Sequence, residues 1–162
     1  MDFIEALPLI QGKSVIFVVV DRLSKYAHFG ALGHPYSVRT VADLFVQIFV
    51  KHHGYPNQII SDRDKVFTSL FWQELYKLQG VEIKLSSSYH PQTDGQTEVV
   101  NRCLEQYLRC FAGESPKQWL QFLPWAEFSY NTAYHSSAKT SPYELRPTTS
   151  HGHSTLATLY FS

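Results

Sequence analysis

The sequence is poor in cysteine and in long apolar runs, and each shortage excludes a class of protein. Two cysteines, Cys103 and Cys110, exclude a disulfide-stabilised scaffold and a four-cysteine zinc site. The longest unbroken apolar run, Val15 to Val20, has six residues, whereas a membrane-spanning helix needs about twenty. The N-terminal residues 1–5 are acidic, where a signal peptide would be basic. We therefore expect a soluble intracellular protein with reduced thiols and no membrane partner.

The sequence also lacks an excess of charge of either sign. Lysine plus arginine total 14 and aspartate plus glutamate total 14, so the formal net charge is zero. A nucleic-acid partner would therefore need a local basic patch, because the overall field of the protein would not attract it. Hydrophobic residues make up 44% of the chain and aromatic residues 15%, which is enough for a folded core. The length of 162 residues predicts one domain.

Apolar periodicity predicts the element order β-β-β-α-β-α-β-α-α. The run 15–20 is apolar at every position, as is typical of a central strand buried on both faces. A helical repeat begins at residue 38, with Ser37 as its N-cap and Gly54 as its stop signal. The other predicted elements are strands at 3–7, 26–32, 58–61 and 81–85 and helices at 67–79, from just before 98 to 111, and at 115–134. This order indicates a mixed sheet with helices on its faces, and the polar stretch 86–95 is predicted to be an irregular loop.

Asp62 is the first carboxylate whose location in the predicted fold suggests a function. It directly follows the predicted strand 58–61, at the carboxyl end, where open α/β sheets place their active sites. The local sequence Ser61-Asp62-Arg63-Asp64 also suits a turn aspartate that bonds its own backbone. On this local pattern alone, the turn interpretation is favoured.

Glu98 is the second carboxylate, near the start of the most regular predicted helix. It shares a polar face with Asn101 and Arg102, at steps of three and four residues. Most such faces are solvated and carry ion pairs such as Glu98 with Arg102. The functional alternative is a carboxylate held rigidly on a helix, beside donors that could contact phosphate.

Spacing and neighbouring motifs together carry a resemblance to a known family. Asp62 and Glu98 are separated by 35 residues, and the segment before Glu98 reads His90-Pro91-Gln92-Thr93-Asp94-Gly95-Gln96-Thr97. This resembles the D,D-35-E catalytic core of retroviral and retrotransposon integrases, most closely the gypsy-type LTR retrotransposon branch. Other resembling stretches are 1–4, 18–29 (Val-Val-Val-Asp-Arg-Leu-Ser-Lys-Tyr-Ala-His-Phe), 60–64, 125–131 (Trp-Ala-Glu-Phe-Ser-Tyr-Asn) and 141–144 (Ser-Pro-Tyr-Glu).

The resemblance implies a fold and a metal site. The fold would be α/β and ribonuclease H-like, a five-stranded mixed sheet flanked by helices. The three carboxylates would be Asp2, Asp62 and Glu98, with the conspicuous Asp21 outside the set. They would bind two Mg²⁺ (or Mn²⁺) ions when DNA is present, because clustered carboxylates are tolerated mainly where metal neutralises them.

The resemblance also implies partners and further site residues. The stretch 86–97 would be a mobile active-site loop, with Gly95 as its hinge and with Gln92 and Asp94 facing DNA. Asn101 and Arg102 would contact DNA from the helix. The implied partners are the DNA ends of the element, target DNA and further copies of the chain, as a homodimer or higher multimer. Nuclear localisation follows from the substrate, although the cytoplasm is an alternative and no targeting signal is present.

Departures from the family pattern leave alternatives open. The resemblance covers 1–145 and implies an integrase core with a truncated first strand, followed by a divergent, loose tail over 146–162. This sequence contains no His-His-Cys-Cys zinc module. One alternative is therefore a non-catalytic remnant that binds nucleic acid or dimerises. A weaker alternative is a ribonuclease H-type nuclease, which the same fold and metals would serve.

Overall fold

A computed structural model describes residues 1–61, 69, 72–73, 77, 82–85, 91–113, 115–136, 138–145 and 158–160. For residues 58, 60–61, 82–85, 91–97 and 158–160 it describes the backbone. Nowhere in these ranges is a helix long and apolar enough to cross a membrane.

The described strands form one mixed sheet. They are β1 (Asp2–Ile4), β2 (Val15–Asp21), β3 (Ala27–Leu32), β4 (Gln58–Ser61), β5 (Glu82–Leu85) and β6 (Thr158–Tyr160). β2 pairs antiparallel with β1, β3 and β6, and β4 pairs parallel with β5 and β6. All five predicted strands are present, although β1 ends at Ile4 and not at Leu7. The sixth strand corrects the expectation of a loose tail, which does not hold for residues 158–160.

The helices lie between and after the strands. They are α1 (Val38–Phe45), a π-helical segment (Val46–Val50), α2 (Lys51–His53), α3 (Pro91–Ala112), a 3₁₀ turn (Pro116–Gln118), α4 (Trp119–Thr132) and α5 (Pro142–Leu145). The predicted caps of the first helical stretch are confirmed, because Ser37 Oγ accepts from Thr40 N at 3.1 Å and Gly54 has φ +75°. Of the predicted helix 67–79, the described residues 72, 73 and 77 are helical, residue 69 is in a bend, and the rest lie outside the described residues.

Two predictions about α3 were wrong. The helix begins at Pro91, so 91–95 of the predicted irregular stretch 86–95 is helical; residues 86–90 lie outside the described part of the chain. Proline is accepted in the first helical turn, where its missing N–H has no helical partner in any case. The seven-residue spacing of Cys103 and Cys110 on the predicted helix also favours core positions for both, but both are exposed.

β2 divides the core into two layers, because its side chains alternate between two buried faces. Val15, Phe17 and Val19 pack with the α1 side of the sheet, including Phe45 and Trp72. The opposite face of β2 packs against α3 and α4 through Ile16, Val18, Val20, Val100, Leu104, Leu108, Trp119 and Leu123. Burial of each large aliphatic side chain stabilises the fold by about 1.5–3 kcal/mol. The uninterrupted apolar run is therefore explained by helices on both faces of the strand.

Side chains of α4 occupy the outer edge of β3. Among the described strands β3 pairs with β2 alone, so its outward N–H and C=O groups need other partners. Asn131 supplies two of them: its Oδ1 accepts from Ala27 N and its Nδ2 donates to Ala27 O, both at 2.8 Å. Glu127, one turn earlier, accepts from Phe29 N at 2.8 Å. Two amino-acid side chains thus take the place of a neighbouring strand.

We predict that Asn131→Ala lowers the free energy of unfolding by about 2–5 kcal/mol, because it leaves two buried backbone groups without partners. Denaturant unfolding at pH 7 measures the change. Thr132→Ala is the matched control, since Thr132 is exposed and its hydroxyl bonds its own helix at Phe128 O. An equal loss in the two variants would contradict the role given to Asn131.

Candidate active site

Asp2 lies on β1, opposite Val18 of β2, and is half-buried. Its Oδ1 accepts from the amide of Phe3 at 2.8 Å, which fixes the carboxylate at the strand. Its Oδ2 accepts from Nδ2 of Asn101 on α3. The contact joins the first predicted carboxylate to the helix that carries the third, across 99 positions of sequence.

Glu98 lies on α3, three residues before Asn101, so the two side chains share one face of the helix. Glu98 Oε1 accepts from Nη2 of Arg102 at 2.7 Å, and the two side chains are 67% and 71% exposed. The ion pair expected of a solvated helix face is therefore present. At this exposure such a pair is worth little, so solvation or another cation can replace it at small cost.

Asn101 is half-buried, and the two polar atoms of its side-chain amide differ in their hydrogen bonding. Nδ2 donates to Asp2, whereas Oδ1 is buried and accepts no hydrogen bond from the described residues. This oxygen could therefore accept one further hydrogen bond. Sequence reasoning assigned Asn101 to DNA, but here its amide contacts the carboxylate. The three-residue spacing between Glu98 and Asn101 shows from sequence that they share a helix face. It does not show that this face meets β1 at Asp2.

Asp21 has a structural task at the end of β2. Its Oδ2 accepts from Ser24 N at 3.0 Å and from Ser24 Oγ at 2.5 Å, which closes the turn into β3. An aspartate that bonds the backbone in this way is a turn residue. Asp21 is therefore a structural residue of the turn between β2 and β3.

For the remaining predicted site residues the structure describes the backbone alone, or they lie outside the described residues. Asp62 is among the latter; β4 ends at Ser61, immediately before it. Gln92, Asp94 and Gly95 belong to the first turns of α3, so Gly95 stands inside a helix where a loop hinge was expected. In the described part of the chain, no group of three or more His, Cys, Asp or Glu residues could hold a metal ion.

Comparison with known proteins identifies the family. Residues 1–91 match the Integrase core domain family, which is more than half of the chain. The chain belongs to the integrase core domain family. It is 39% identical over 145 residues to the Transposon Tf2-3 polyprotein of Schizosaccharomyces pombe, an alignment that covers 90% of this chain. The chain spans 11% of the length of that polyprotein.

Solved integrase cores share the fold. The catalytic core domain of HTLV-2 integrase, solved in complex with magnesium as a trimeric form, aligns with a TM-score of 0.73 at 15% identity, over 90% of this chain and 93% of that one. The core of BIV integrase aligns with a TM-score of 0.68 at 22% identity, over 90% of each chain. The ribonuclease H-like fold predicted from the sequence is confirmed, with β6 as an additional strand.

The integrase core family consists of divalent-metal-dependent enzymes. Asp2 and Glu98 carry carboxylate oxygens, and Asn101 carries an amide oxygen, Oδ1, that accepts no hydrogen bond from the described residues. Hard oxygen donors of this kind are the ligands that Mg²⁺ and Mn²⁺ prefer. The donor set therefore agrees with the chemistry of the family.

We predict that the Glu98–Arg102 pair contributes no more than about 0.5 kcal/mol to the stability of the integrase core. A double-mutant cycle with Glu98→Gln, Arg102→Ala and the double variant, followed by urea unfolding, measures this coupling. A coupling above about 1.5 kcal/mol would instead make the pair a structural element of α3.

Proposed function

We propose that this chain is the catalytic core of a retrotransposon integrase, which cuts DNA strands and joins their 3′ ends to target DNA. The contact between Asp2 and Asn101 is the observation that supports the proposal most directly. It holds the first carboxylate against the helix face that carries Glu98, in a fold whose β4 ends one residue before Asp62. Family membership and the similarity to transposon polyproteins support the same activity.

In this proposal Asp2, Asp62 and Glu98 would together hold two divalent ions. When bound, such ions activate the attacking oxygen and stabilise the leaving oxygen of an in-line displacement at phosphorus. Asn101 keeps one Asp2 oxygen in place and leaves its own Oδ1 for the site. Glu98 can leave Arg102 at small cost, because both side chains are mostly exposed.

DNA would bind along the exposed face of α3 and its first turns. Arg102 is mostly exposed, and its guanidinium could contact a phosphate if Glu98 served as a metal ligand. We assign Gln92 and Asp94 to DNA contacts as well, and we assign Gly95 to a hinge that bends the start of α3. The nucleus is the proposed site of action, because the target DNA is there.

Further copies of the chain are the proposed protein partners, as a homodimer or a higher multimer. α4 exposes two large aromatic side chains, Trp125 at 64% and Phe128 at 60%. Exposed apolar side chains of this size commonly mark interfaces. The solved HTLV-2 core was described in trimeric and dimeric forms, which supports self-association of this fold.

We predict that the purified chain reverses a strand-transfer junction in a branched DNA oligonucleotide when Mg²⁺ or Mn²⁺ is present. Asp62→Asn should lower the rate by at least about a hundredfold, because it removes a negative charge from the metal site. Asp43→Asn is the matched control: Asp43 is exposed on α1, and the variant makes the same chemical change away from the site. Equal rates in wild type and Asp62→Asn would refute the assignment.

Thermal melting separates metal binding from DNA chemistry. Metal at about a hundred times its Kd stabilises a folded chain by about 2.7 kcal/mol, which at this length raises Tm by roughly 5–10 °C. We predict such a rise with Mn²⁺ for wild type and for Asp43→Asn, and a smaller one for Asp62→Asn and Glu98→Gln. Identical shifts in all four proteins would mean that manganese binds elsewhere.

The same assays distinguish the alternatives. A cooperative melt without a metal-dependent shift, together with absent junction reversal, would leave a folded domain that binds nucleic acid or dimerises. Cleavage of the RNA strand of an RNA–DNA hybrid, with duplex DNA untouched, would instead identify a ribonuclease H-type nuclease.

A further inference from the structure

β1 and β6 pair with the same edge of β2, one after the other along it. Asp2 lies opposite Val18 in β2, so the register of β1 places Met1 opposite Val19. Tyr160 lies opposite Val20 and Leu159 opposite Asp21, both antiparallel to β2, as β1 is. β6 therefore continues β1 in the same direction and register, although it comes from the far end of the sequence.

β6 also connects the two parts of the described sheet. Its other edge pairs parallel with β4, where Thr158 lies opposite Gln58 and Leu159 opposite Ile59. Among the described strands, β4 pairs with β5 and β6 alone. The strands that carry Asp2 and those that lead to Asp62 are thus joined by hydrogen bonds through three residues of β6.

We propose that Thr158–Tyr160 is a complementing strand that fills a groove between β2 and β4, and that its pairing positions the Asp62 end of β4 relative to Asp2. The occupant is this chain's own C-terminal segment. The positioning half of the inference rests on the proposed function, whereas the strand pairing does not.

Backbone chemistry explains why the groove takes an extended strand. The facing edges of β2 and β4 present N–H and C=O groups that need partners, and an added strand satisfies both edges at once. Asp21 donates its amide to Tyr26 O on the β3 side at 2.8 Å, so alternation turns the amide and carbonyl of Val20 towards β6. Tyr160 is therefore the residue that exchanges hydrogen bonds with β2. The backbone groups of Leu159, the next residue in alternation, face β4.

Proline variants of the full chain test the pairing, because proline removes one donor from the ladder. In Tyr160→Pro and in Leu159→Pro we expect amide hydrogen exchange at Val20 and along β4 to accelerate by about tenfold or more. Thr155→Pro is the matched control, a proline three residues before the strand. Exchange that is unchanged at Val20 and β4 in both strand variants would overturn the proposal.

A peptide added in trans keeps the test decisive if a strand variant fails to fold. A peptide of residues 154–162 should restore protection, or the folded circular dichroism spectrum, to Tyr160→Pro. The same peptide with proline at both 159 and 160 should not. If the variant is unfolded and the unmodified peptide restores neither amide protection nor the folded circular dichroism spectrum, the complementing-strand proposal is refuted.

Metal-dependent melting separates this inference from the proposed function. If positioning holds, Tyr160→Pro loses the Mn²⁺-dependent rise in Tm and the added peptide restores it. If exchange accelerates but the metal shift is unchanged, the strand pairs without positioning the site. If wild type itself shows no metal shift, the proposed function fails, while the exchange result still decides the pairing.

Discussion

The unpaired edge of β3 is the constraint on which the arrangement of the helices depends. Glu127 and Asn131 bond the outward backbone groups of this edge, and Trp119 Nε1 donates to Pro8 O at 2.8 Å at the start of the same helix. α4 is therefore fixed at both ends, and α3 shares one apolar core with α4 and β2. Because α3 carries Asn101 to Asp2, the geometry of the candidate site follows from hydrogen bonds on the far side of the domain.

Much of the fold could be predicted from sequence because its signals are local. The apolar run of β2, the cap at Ser37 and the stop at Gly54 each express a preference that nearby residues determine. The start of α3 could not be predicted in this way, since 91–97 has no apolar repeat and proline usually signals irregular backbone. β6 was not predicted either: residues 156–161 are mostly apolar, but the strand has only three residues and its partners are distant in sequence.

The candidate site also has features that the sequence predicts and features that depend on contacts distant in sequence. Spacing and motif resemblance selected Asp2, Asp62 and Glu98 from fourteen acidic residues and left out Asp21, which the structure shows bonded to the turn that follows β2. The contact of Asn101 with Asp2 is non-local, so a helical wheel shows the face on which Asn101 lies but not what that face meets. The two motifs at 27–29 and 125–131 have a shared explanation: Ala27 and Phe29 are bonded by Asn131 and Glu127.

The position of β6 has a consequence for the order of folding. Val20 and Tyr160 are neighbours in the sheet but are separated by nearly the whole chain, and pairings of such high contact order form late and slowly. During synthesis, β1, β2 and β3 can form a meander early, whereas β4 and β5 must wait for residues 158–160 before the described sheet is continuous. Until residues 158–160 are in place, the other described strands therefore form two groups, β1 to β3 and β4 with β5, that no described strand joins.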